Sequence, residues 1–177
     1  SIKKSYGFME NGDIFINSNL LNDLSTIRLN DSFKVSLFCI VLLHETIHSI
    51  TYKKWFSFTS ENGLWYTGNH CVKYYNDILN TSIYSKIPIE DSFGRGSSGL
   101  HWEKGFTTDR KPQLRTDEFI EYPALSCDIM TSYVSPNKNV YISKLLLGLF
   151  QDCGYNVNPI SKYISIYPHK YIQFEGS

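Results

Sequence analysis

Two histidines and a glutamate in one short segment have the residue types and the spacing needed for hydrolytic metal chemistry. The segment reads His44-Glu45-Thr46-Ile47-His48, an H-E-x-x-H pattern. On a helix, positions i and i+4 lie one turn apart on the same face, so both imidazoles can reach one metal ion. The Glu45 carboxylate projects from a neighbouring part of that surface, where it can take a proton from water without being a ligand itself. The pattern predicts a zinc site with Glu45 as the general base.

The alternative interpretation is that His44 and His48 are core histidines satisfied by hydrogen bonds. That reading fits a single histidine on an apolar helix face. It fits less well here, because an unpaired carboxylate in an apolar core is strongly destabilising, whereas a nearby zinc ion compensates its charge. Two histidines that bracket a glutamate on an apolar helix therefore favour the metal.

A catalytic zinc site usually has three protein ligands and an open fourth position for water or substrate. A third ligand must therefore come from elsewhere in the chain. The remaining histidines are His70, His101 and His169, and acidic side chains, including a glutamate on a later helix, are chemically acceptable as well. Composition does not choose among these candidates.

Two later segments resemble the signature of the leishmanolysin-like metallopeptidases, a family of the metzincin clan. They are Gly96-Ser97-Ser98-Gly99-Leu100-His101-Trp102-Glu103-Lys104 and Asp128-Ile129-Met130-Thr131. In that family a long insertion separates H-E-x-x-H from the third histidine, which stands in an H-W-E-K context, and a later E-L-M-T-like stretch supplies the Met-turn. The separation here is 101 − 48 = 53 positions. Segments 88–91 and 142–155 also resemble family segments, so the resemblance runs from about residue 40 to residue 158.

The resemblance implies a ligand set and roles for further residues. His44, His48 and His101 would bind one zinc ion, with Glu45 as the base and Met130 in the turn beneath the metal. Under this reading His70 and His169 are surface or loop histidines without a part in the site. Tyr133, three residues after Met130, is a further candidate that could reach the oxyanion or line the pocket.

The implied fold is an α+β domain of the metzincin type. A twisted sheet and the active-site helix would lie above the cleft, and the Met-turn and a C-terminal helix below it. We expect one domain over residues 1–177. Residues 1–52 would form an N-terminal subdomain with the sheet and the active-site helix, and residues 53–177 would hold the insertion, the third ligand and the Met-turn.

The active-site helix is the clearest predicted element. It would run from Phe33 to about Thr51, a stretch without Gly or Pro, after a choice of N-caps in residues 30–32. Its apolar residues cover nearly the whole circumference, so we expect it to run through the core. Thr51 stands three residues after His48, where metzincins normally have a glycine that lets the chain turn. The helix is therefore expected to run on or to end differently.

The other predicted elements follow from turn and breaker residues. They are a hairpin over residues 1–17 around Asn11-Gly12, a helix around Val72 to Leu79, a loop from Phe93 to Gly99 leading into His101, a short helix from Thr116 to Tyr122 ended by Pro123, and a helix from Ser143 to Asp152 stopped by Gly154.

Composition limits the partners. Among the 177 residues, 17 basic and 17 acidic side chains cancel, so no overall field favours nucleic acid. The longest apolar run, Leu37 to Leu43, is too short for a membrane span. We therefore expect protein or peptide substrates, no nucleic-acid partner and no membrane-spanning segment.

The expected function is that of a zinc endopeptidase, with two alternatives left open. One is a non-catalytic adhesion or toxin-associated module that keeps the fold and the zinc for stability. Glu45 argues against it, because a purely structural zinc site has no need for a base and usually closes its fourth position. The other is a hydrolase that acts on a non-peptide bond, which only the family resemblance disfavours.

A secreted or cell-surface location is expected on weaker grounds. The four cysteines could form two disulfides, as in exported proteins, although free buried thiols also fit a domain of this size. Asn30-Asp31-Ser32 and Asn80-Thr81-Ser82 match the N-glycosylation pattern. The chain begins at Ser1 without a signal-like segment, and we expect a processed or trimmed product.

Overall fold

The computed structural model describes residue 14 and residues 25–55, 63–91, 98–105, 115–117, 120–132, 139–158, 167–168, 170 and 172–173. For residues 52–55, 115–117 and 173 the description is of the backbone alone. The described part is mixed α+β, which confirms the expected class at this coarse level. The hairpin predicted over residues 1–17, Tyr133 and His169 lie outside the described residues.

Three helices and nine short strands are described along the chain. The helices are α1 (Leu37–Trp55), α2 (Asn69–Leu79) and α3 (Lys144–Asp152). The strands are β1 (Thr26–Leu29), β2 (Phe33–Ser36), β3 (Trp65–Tyr66), β4 (Ile87–Pro88), β5 (Arg115–Asp117), β6 (Ile120–Tyr122), β7 (Ala124–Leu125), β8 (Asn139–Val140) and β9 (Ile172–Gln173).

The largest described sheet has the strand order β2-β1-β8. Strand β1 pairs antiparallel with β2 and parallel with β8. The pairs β3-β4, β5-β6 and β7-β9 are antiparallel and two-stranded. None of the described helices is both long enough and apolar enough to cross a membrane.

A tight turn, not a helix cap, forms at residues 30–32. Asn30 and Asp31 both have positive φ angles, 53° and 61°, a conformation that Asn and Asp tolerate better than other non-glycine residues. The N–H of Ser32 donates to the Leu29 carbonyl at 3.1 Å, which closes the β1-β2 hairpin. The N-cap predicted in residues 30–32 is therefore wrong, because the Asn-Asp pair makes a hairpin turn.

Helix α1 begins four residues later than predicted and also ends later. Residues 33–36 are strand β2, and the Ser36 hydroxyl accepts a hydrogen bond from the Cys39 N–H at 3.2 Å, as a helix N-cap does. At the other end the helix continues through Thr51, whose hydroxyl donates to the Ile47 carbonyl at 2.7 Å, and stops at Trp55. The expectation that the helix would run on or end differently without a glycine at position 51 is confirmed.

The buried surface of α1 is one stripe and not the whole circumference. Ile40, His44, Ile47 and Thr51, spaced three or four residues apart, are buried, whereas Leu42 is exposed. The prediction that the helix runs through the core is wrong in this respect, since α1 lies along the edge of the core. Both His44 and Ile47 thus face the protein interior from the same helix.

Helices α2 and α3 pack closely. A Cβ atom added at Gly148 of α3 would lie 2.7 Å from the backbone of Cys71 in α2, so glycine is required for this approach. Helix α3 confirms the predicted helix, with Ser143 as its N-cap and Gly154 at a φ angle of 89° just after its end. Helix α2 begins at Asn69, three residues before the predicted start at Val72.

Residues 115–122 contain strands where a short helix was predicted. Strands β5 and β6 pair antiparallel, with Arg115 opposite Tyr122. Thr116, Ile120 and Tyr122 are β-branched or aromatic, which favours strands, and Pro123 ends the second strand instead of a helix. The prediction of a helix from Thr116 to Tyr122 is therefore wrong.

The core is rich in aromatic side chains between these elements. The rings of Tyr66 and Trp102 meet edge to face with centroids 5.2 Å apart, and those of Trp65 and Tyr122 do so at 4.7 Å. All four residues are buried. Because Trp102 follows His101, the aromatic core fixes the segment that contains a predicted ligand.

Candidate metal centre

Three histidine side chains converge on one point. The Nε2 atoms of His44, His48 and His101 form a triangle in which each pair is 3.0 Å apart. The rings of His44 and His101 are nearly parallel, at 14°, whereas the His48 ring is almost perpendicular to both. The structure thus brings together the three histidines that the sequence resemblance selected, although 53 positions separate His48 from His101.

Hydrogen bonds among the three rings cannot account for this triangle. In a neutral imidazole Nε2 is either a donor or an acceptor, and three atoms in mutual contact cannot be divided so that each contact joins one donor to one acceptor. At least one contact must therefore join two donors or two acceptors. A cation that attracts all three lone pairs removes this conflict.

The tautomer of His44 supports the same arrangement. Its Nδ1 lies 2.7 Å from the Ile129 carbonyl oxygen, which can only accept. The proton of neutral His44 is therefore on Nδ1, and the lone pair of Nε2 faces His48 and His101. A backbone carbonyl at the far nitrogen of a histidine is a typical outer contact of metal-binding histidines.

Burial keeps two of the rings neutral. Burial, with a smaller contribution from the nearby His44 and His101, lowers the pKa of His48 to about 2. Burial also lowers the pKa of His44, although the hydrogen bond that its Nδ1 donates to the Ile129 carbonyl and the charge of Glu45 raise it. Because both pKa values are lowered, both rings are neutral at neutral pH. Neutral imidazole is the form that binds metal ions.

The donor set fits zinc. Zinc binds imidazole nitrogen at about 2.0–2.1 Å, and an ion at that distance from all three nitrogens fits just outside the plane of a triangle with 3.0 Å sides. Catalytic zinc sites combine three protein ligands of this kind with an open fourth position. These residues could hold a metal ion, and imidazole nitrogen suits zinc as it suits copper, iron and nickel.

Helix α1 positions the first two ligands. His44 and His48 lie one turn apart, with ring centroids at 4.5 Å. His44 belongs to the buried stripe of α1, and His48 is half-buried at its border. The H-E-x-x-H spacing therefore has the helical context that the metal interpretation requires.

The third candidate ligand, His101, lies in a segment whose backbone is hydrogen-bonded to the chain on both of its sides. On one side the Glu90 N–H donates to the His101 carbonyl at 2.9 Å, and the Glu103 N–H donates to the Pro88 carbonyl at 3.0 Å. On the other side the Trp102 N–H donates to the Met130 carbonyl at 3.0 Å. Backbone hydrogen bonds on both flanks of His101 thus fix its position relative to α1.

The turn that contains Met130 contacts both parts of the cluster. We call residues 127–131 the Met130 turn. Its Ile129 carbonyl meets the His44 ring, and its Met130 carbonyl accepts from the residue after His101. Met130 itself is fully buried. Three of the segments that resemble the family signature, around residues 88–91, 101–104 and 128–131, are therefore neighbours in space.

Glu45 lies beside the cluster and is exposed on α1. Its charge acts on the His44 ring, where it favours the protonated form. It is not one of the three residues that could hold the ion. Glu45 is thus close to the candidate ligands, open to solvent and outside the candidate ligand set. A proton acceptor for water needs such a position.

His70 does not join the cluster. It lies at the start of α2 with a side chain that is 53% exposed. Its Nδ1 is 2.9 Å from Oδ1 of Asp152, the last residue of α3. A cleft of about 220 Å³ lies beside this pair, lined by Thr67, Gly68, Asn69, His70, Gln151 and Asp152. The exposed position agrees with the reading of His70 as a surface histidine.

A second group of acids neighbours the His101 segment. Oxygen atoms of Glu90, Asp91 and Glu103 lie within 4.8 Å of one another. Glu90 and Glu103 are buried. Glu103 accepts from the Gly105 N–H at 3.0 Å and Glu90 accepts from the Ser132 hydroxyl at 3.5 Å, so the chain itself supplies donors to this group and we assign it no ligand.

Two elements of the site were not predicted from the sequence. One is the Ile129 carbonyl, which no side-chain pattern could reveal because it is a backbone atom. The other is the pair formed by Asp128 and Ser143, both buried and hydrogen-bonded to each other. The sequence features that could have indicated this pair are an acid two residues before Met130 and a serine at the N-cap of α3.

Comparison of the chain with protein-family models, with curated proteins and with solved structures gives no match.

Proposed function

We propose that this chain is the catalytic domain of a zinc-dependent endopeptidase. The observation that supports it most is the convergence of three histidine Nε2 atoms at 3.0 Å, two of them from an H-E-x-x-H segment on a helix. The third comes from a segment that resembles the leishmanolysin-like signature. Under this proposal the fold is of the metzincin type, with the Met130 turn beneath one zinc ion.

His44, His48 and His101 would hold the ion, and Glu45 would move the proton. A zinc ion there supplies a Lewis acid that polarises the scissile carbonyl and activates water. The Glu45 carboxylate accepts a proton from water as the water oxygen bonds to the carbonyl carbon. Glu45 then gives that proton to the leaving amine as the C–N bond breaks. The products are a carboxylic acid, which then releases its proton to water, and an amine, without a covalent enzyme intermediate.

The exposure of the four residues suggests the direction of substrate approach. His44 and His101 are buried, His48 is half-buried and Glu45 is exposed. A substrate would therefore reach the site from the side of Glu45 and His48, opposite the Met130 turn. Tyr133 stays a candidate contact to the oxyanion under the same proposal.

Proteins or peptides are the proposed substrates, and a secreted or cell-surface location is proposed with them. The balanced charge gives no support for a nucleic-acid partner. None of the four cysteines forms a disulfide, so disulfides give no support for export. The N-glycosylation pattern at Asn30 gives little, since the Asn30 amide oxygen accepts from the Ile142 N–H at 2.9 Å inside the fold. The proposed location therefore depends on the second N-glycosylation pattern, at Asn80, which is exposed.

The test is cleavage of a quenched peptide library by the purified chain, with Glu45→Gln as the key variant. We expect cleavage by the wild type that a chelator abolishes and added zinc restores. Glu45→Gln should bind zinc as tightly as the wild type and cleave at least about a hundredfold more slowly, the lower end of what a general base contributes. Asp77→Asn, an exposed acid on α2, is the matched control and should cleave normally.

Each other outcome has a distinct meaning. Tight zinc binding without cleavage would replace the enzyme by a zinc-stabilised module of the same fold. Cleavage that survives chelation would refute the zinc mechanism. Equal cleavage by Glu45→Gln and the wild type would remove Glu45 from the role of base.

A further inference from the structure

A buried acid lies next to the metal centre without taking part in the proposed chemistry. Asp128 is 2% exposed and belongs to the Met130 turn. It is not among the residues whose donor atoms converge on the candidate ion. A buried carboxylate is stable only when its oxygens are hydrogen-bonded or paired, so its contacts indicate what it does.

Both carboxylate oxygens of Asp128 accept hydrogen bonds. Oδ1 accepts from the Met130 N–H at 2.9 Å, and Oδ2 accepts from the Ser143 hydroxyl. The Asp128 carbonyl also accepts from the N–H and the hydroxyl of Thr131, at 3.1 and 2.8 Å. The side chain and backbone of this one residue thus close the whole turn.

Ser143 connects the turn to a helix. Its oxygen accepts from the Leu145 N–H at 3.1 Å, which makes it the N-cap of α3. Ser143 is fully buried. The Met130 turn is therefore attached to the start of α3 through the Asp128 carboxylate.

The same turn holds two of the three ligands. The Ile129 carbonyl fixes the tautomer and ring of His44, and the Met130 carbonyl accepts from the backbone after His101. Asp128 precedes both carbonyls and bonds to the amide between them, that of Met130. A rotation of this turn would move the contacts of His44 and His101 together.

We propose that Asp128 is a positioning residue of the metal centre. Its carboxylate fixes the Met130 turn so that the Ile129 carbonyl keeps the proton of His44 on Nδ1 and its Nε2 lone pair toward the ion. This inference rests on the proposed function only in that the histidine cluster binds zinc. Loss of outer contacts to metal-binding histidines typically weakens metal binding roughly 10–100-fold.

The first measurement is the tautomer of His44 in the metal-free protein. Nitrogen-15 NMR of the imidazole groups reports which nitrogen has the proton, and it needs neither zinc nor activity. The wild type should show His44 protonated at Nδ1. Asp128→Asn, which keeps the shape but replaces one acceptor oxygen by an NH2 group, should show a mixture of the two tautomers.

The second measurement is zinc affinity by competition with a chelator. We expect Asp128→Asn to bind zinc about tenfold more weakly than the wild type. The visible spectrum of the cobalt-substituted variant should also be shifted, since the ligand geometry changes. Asp152→Asn is the matched control, because Asp152 lies at the other end of α3 with a side chain that is 4% exposed and accepts from the His70 and Cys71 N–H groups. It should lose stability but bind zinc normally.

A second variant covers the case in which Asp128→Asn does not fold. Ser143→Gly removes the hydroxyl that donates to Asp128, and glycine is nearly as good as serine at an N-cap. It should weaken zinc binding in the same direction, by about threefold to tenfold. Normal zinc affinity and an unchanged His44 tautomer in the variant that folds would overturn the positioning role. A wild type that binds no zinc would refute the proposed function and this inference together.

Discussion

His70 on α2 and His44 on α1 are both helical histidines, and they differ in the groups that their rings contact. The His70 ring is 53% exposed and contacts one carboxylate, that of Asp152. The His44 ring is buried and contacts one carbonyl and two other imidazoles. The first ring is satisfied by a single partner and solvent, whereas the second lies in a group that its own hydrogen bonds cannot satisfy.

The comparison separates a contact that supports the fold from one that suggests a ligand. Asp152 accepts from the N–H groups of His70 and Cys71, so it caps the first turn of α2 whatever the His70 ring does. At the cluster, three nitrogens that are 3.0 Å apart could hold a metal ion between their lone pairs. The number of convergent acceptors, and not the presence of a histidine, marks the candidate site.

Loss of one cluster histidine should have the largest effect in either region. His101→Ala removes one of three nitrogens and should weaken zinc binding more than the roughly 10–100-fold typical of an outer contact. His70→Ala should leave zinc binding unchanged. Chelator competition on both variants measures this, and an equal loss in the two would show that the cluster is not the zinc site.

The site was largely predictable, because its chemistry depends on side-chain types in a fixed spacing. The H-E-x-x-H segment needs only a helix to bring His44 and His48 together, and the apolar run predicted that helix. His101 could be selected only through the family resemblance. The contacts that hold these ligands were not predictable, since the Ile129 carbonyl is a backbone atom brought in by a long-range turn.

The fold was predictable where a breaker residue and a cap agreed. Ser143 caps the start of α3 and Gly154 follows its end, as the sequence indicated. Prediction failed where a residue type serves two structures. Asn30 and Asp31 suit both an N-cap and a left-handed hairpin turn, and the turn formed because strand pairing added to its stability. Residues 115–122 likewise became strands because pairing was available.

Acid should destabilise the metal-free protein through the cluster. The folded pKa of His48 is about 2, below its ordinary 6.5, so under pH 6.5 the unfolded chain binds a proton that the folded chain does not. This contribution to stability is present above pH 6.5 and is lost as pH falls, by about 1.4 kcal/mol for each pH unit. Asp128 acts oppositely, since burial raises its pKa to about 6 from 3.8 and its contribution is lost as pH rises through 6.

The variant His48→Gln isolates the histidine contribution. Between pH 6.5 and 5 the wild type should lose about 2 kcal/mol more than this variant, measured by urea unfolding of the metal-free proteins. Asp128 is present in both proteins, so its opposite effect cancels. His70→Ala should show the slope of the wild type. If the change of the unfolding free energy with pH depended on His70 and not on His48, the exposed ring and not the clustered ring would cause the acid sensitivity. That result would contradict the prediction.

Packing at the α2–α3 contact should affect stability without affecting zinc. In Gly148→Ala the new Cβ would lie 2.7 Å from the Cys71 backbone, which cannot yield as a flexible side chain could. Overpacking costs about 1–3 kcal/mol, and alanine regains up to ~1 kcal/mol as a better helix former. A net loss of about 1–2 kcal/mol in the free energy of unfolding is expected. Lys144→Ala on the same helix is the control, and a changed zinc affinity in Gly148→Ala would contradict the separation of the two regions.

The smallest effect is expected for the His70 ring itself. Because the ring is 53% exposed, its contact with Asp152 is screened by water, and such pairs contribute under about 1 kcal/mol. In His70→Ala the backbone N–H groups of residues 70 and 71 still donate to Asp152, and so does the Tyr66 hydroxyl, so the cap of α2 survives. Asp152→Asn should destabilise more, since every one of these donors then meets a weaker acceptor. Urea unfolding of both variants checks the order. If His70→Ala were the more damaging change, the ring and not the carboxylate would hold this corner together, and His70 would have a role beyond a surface contact.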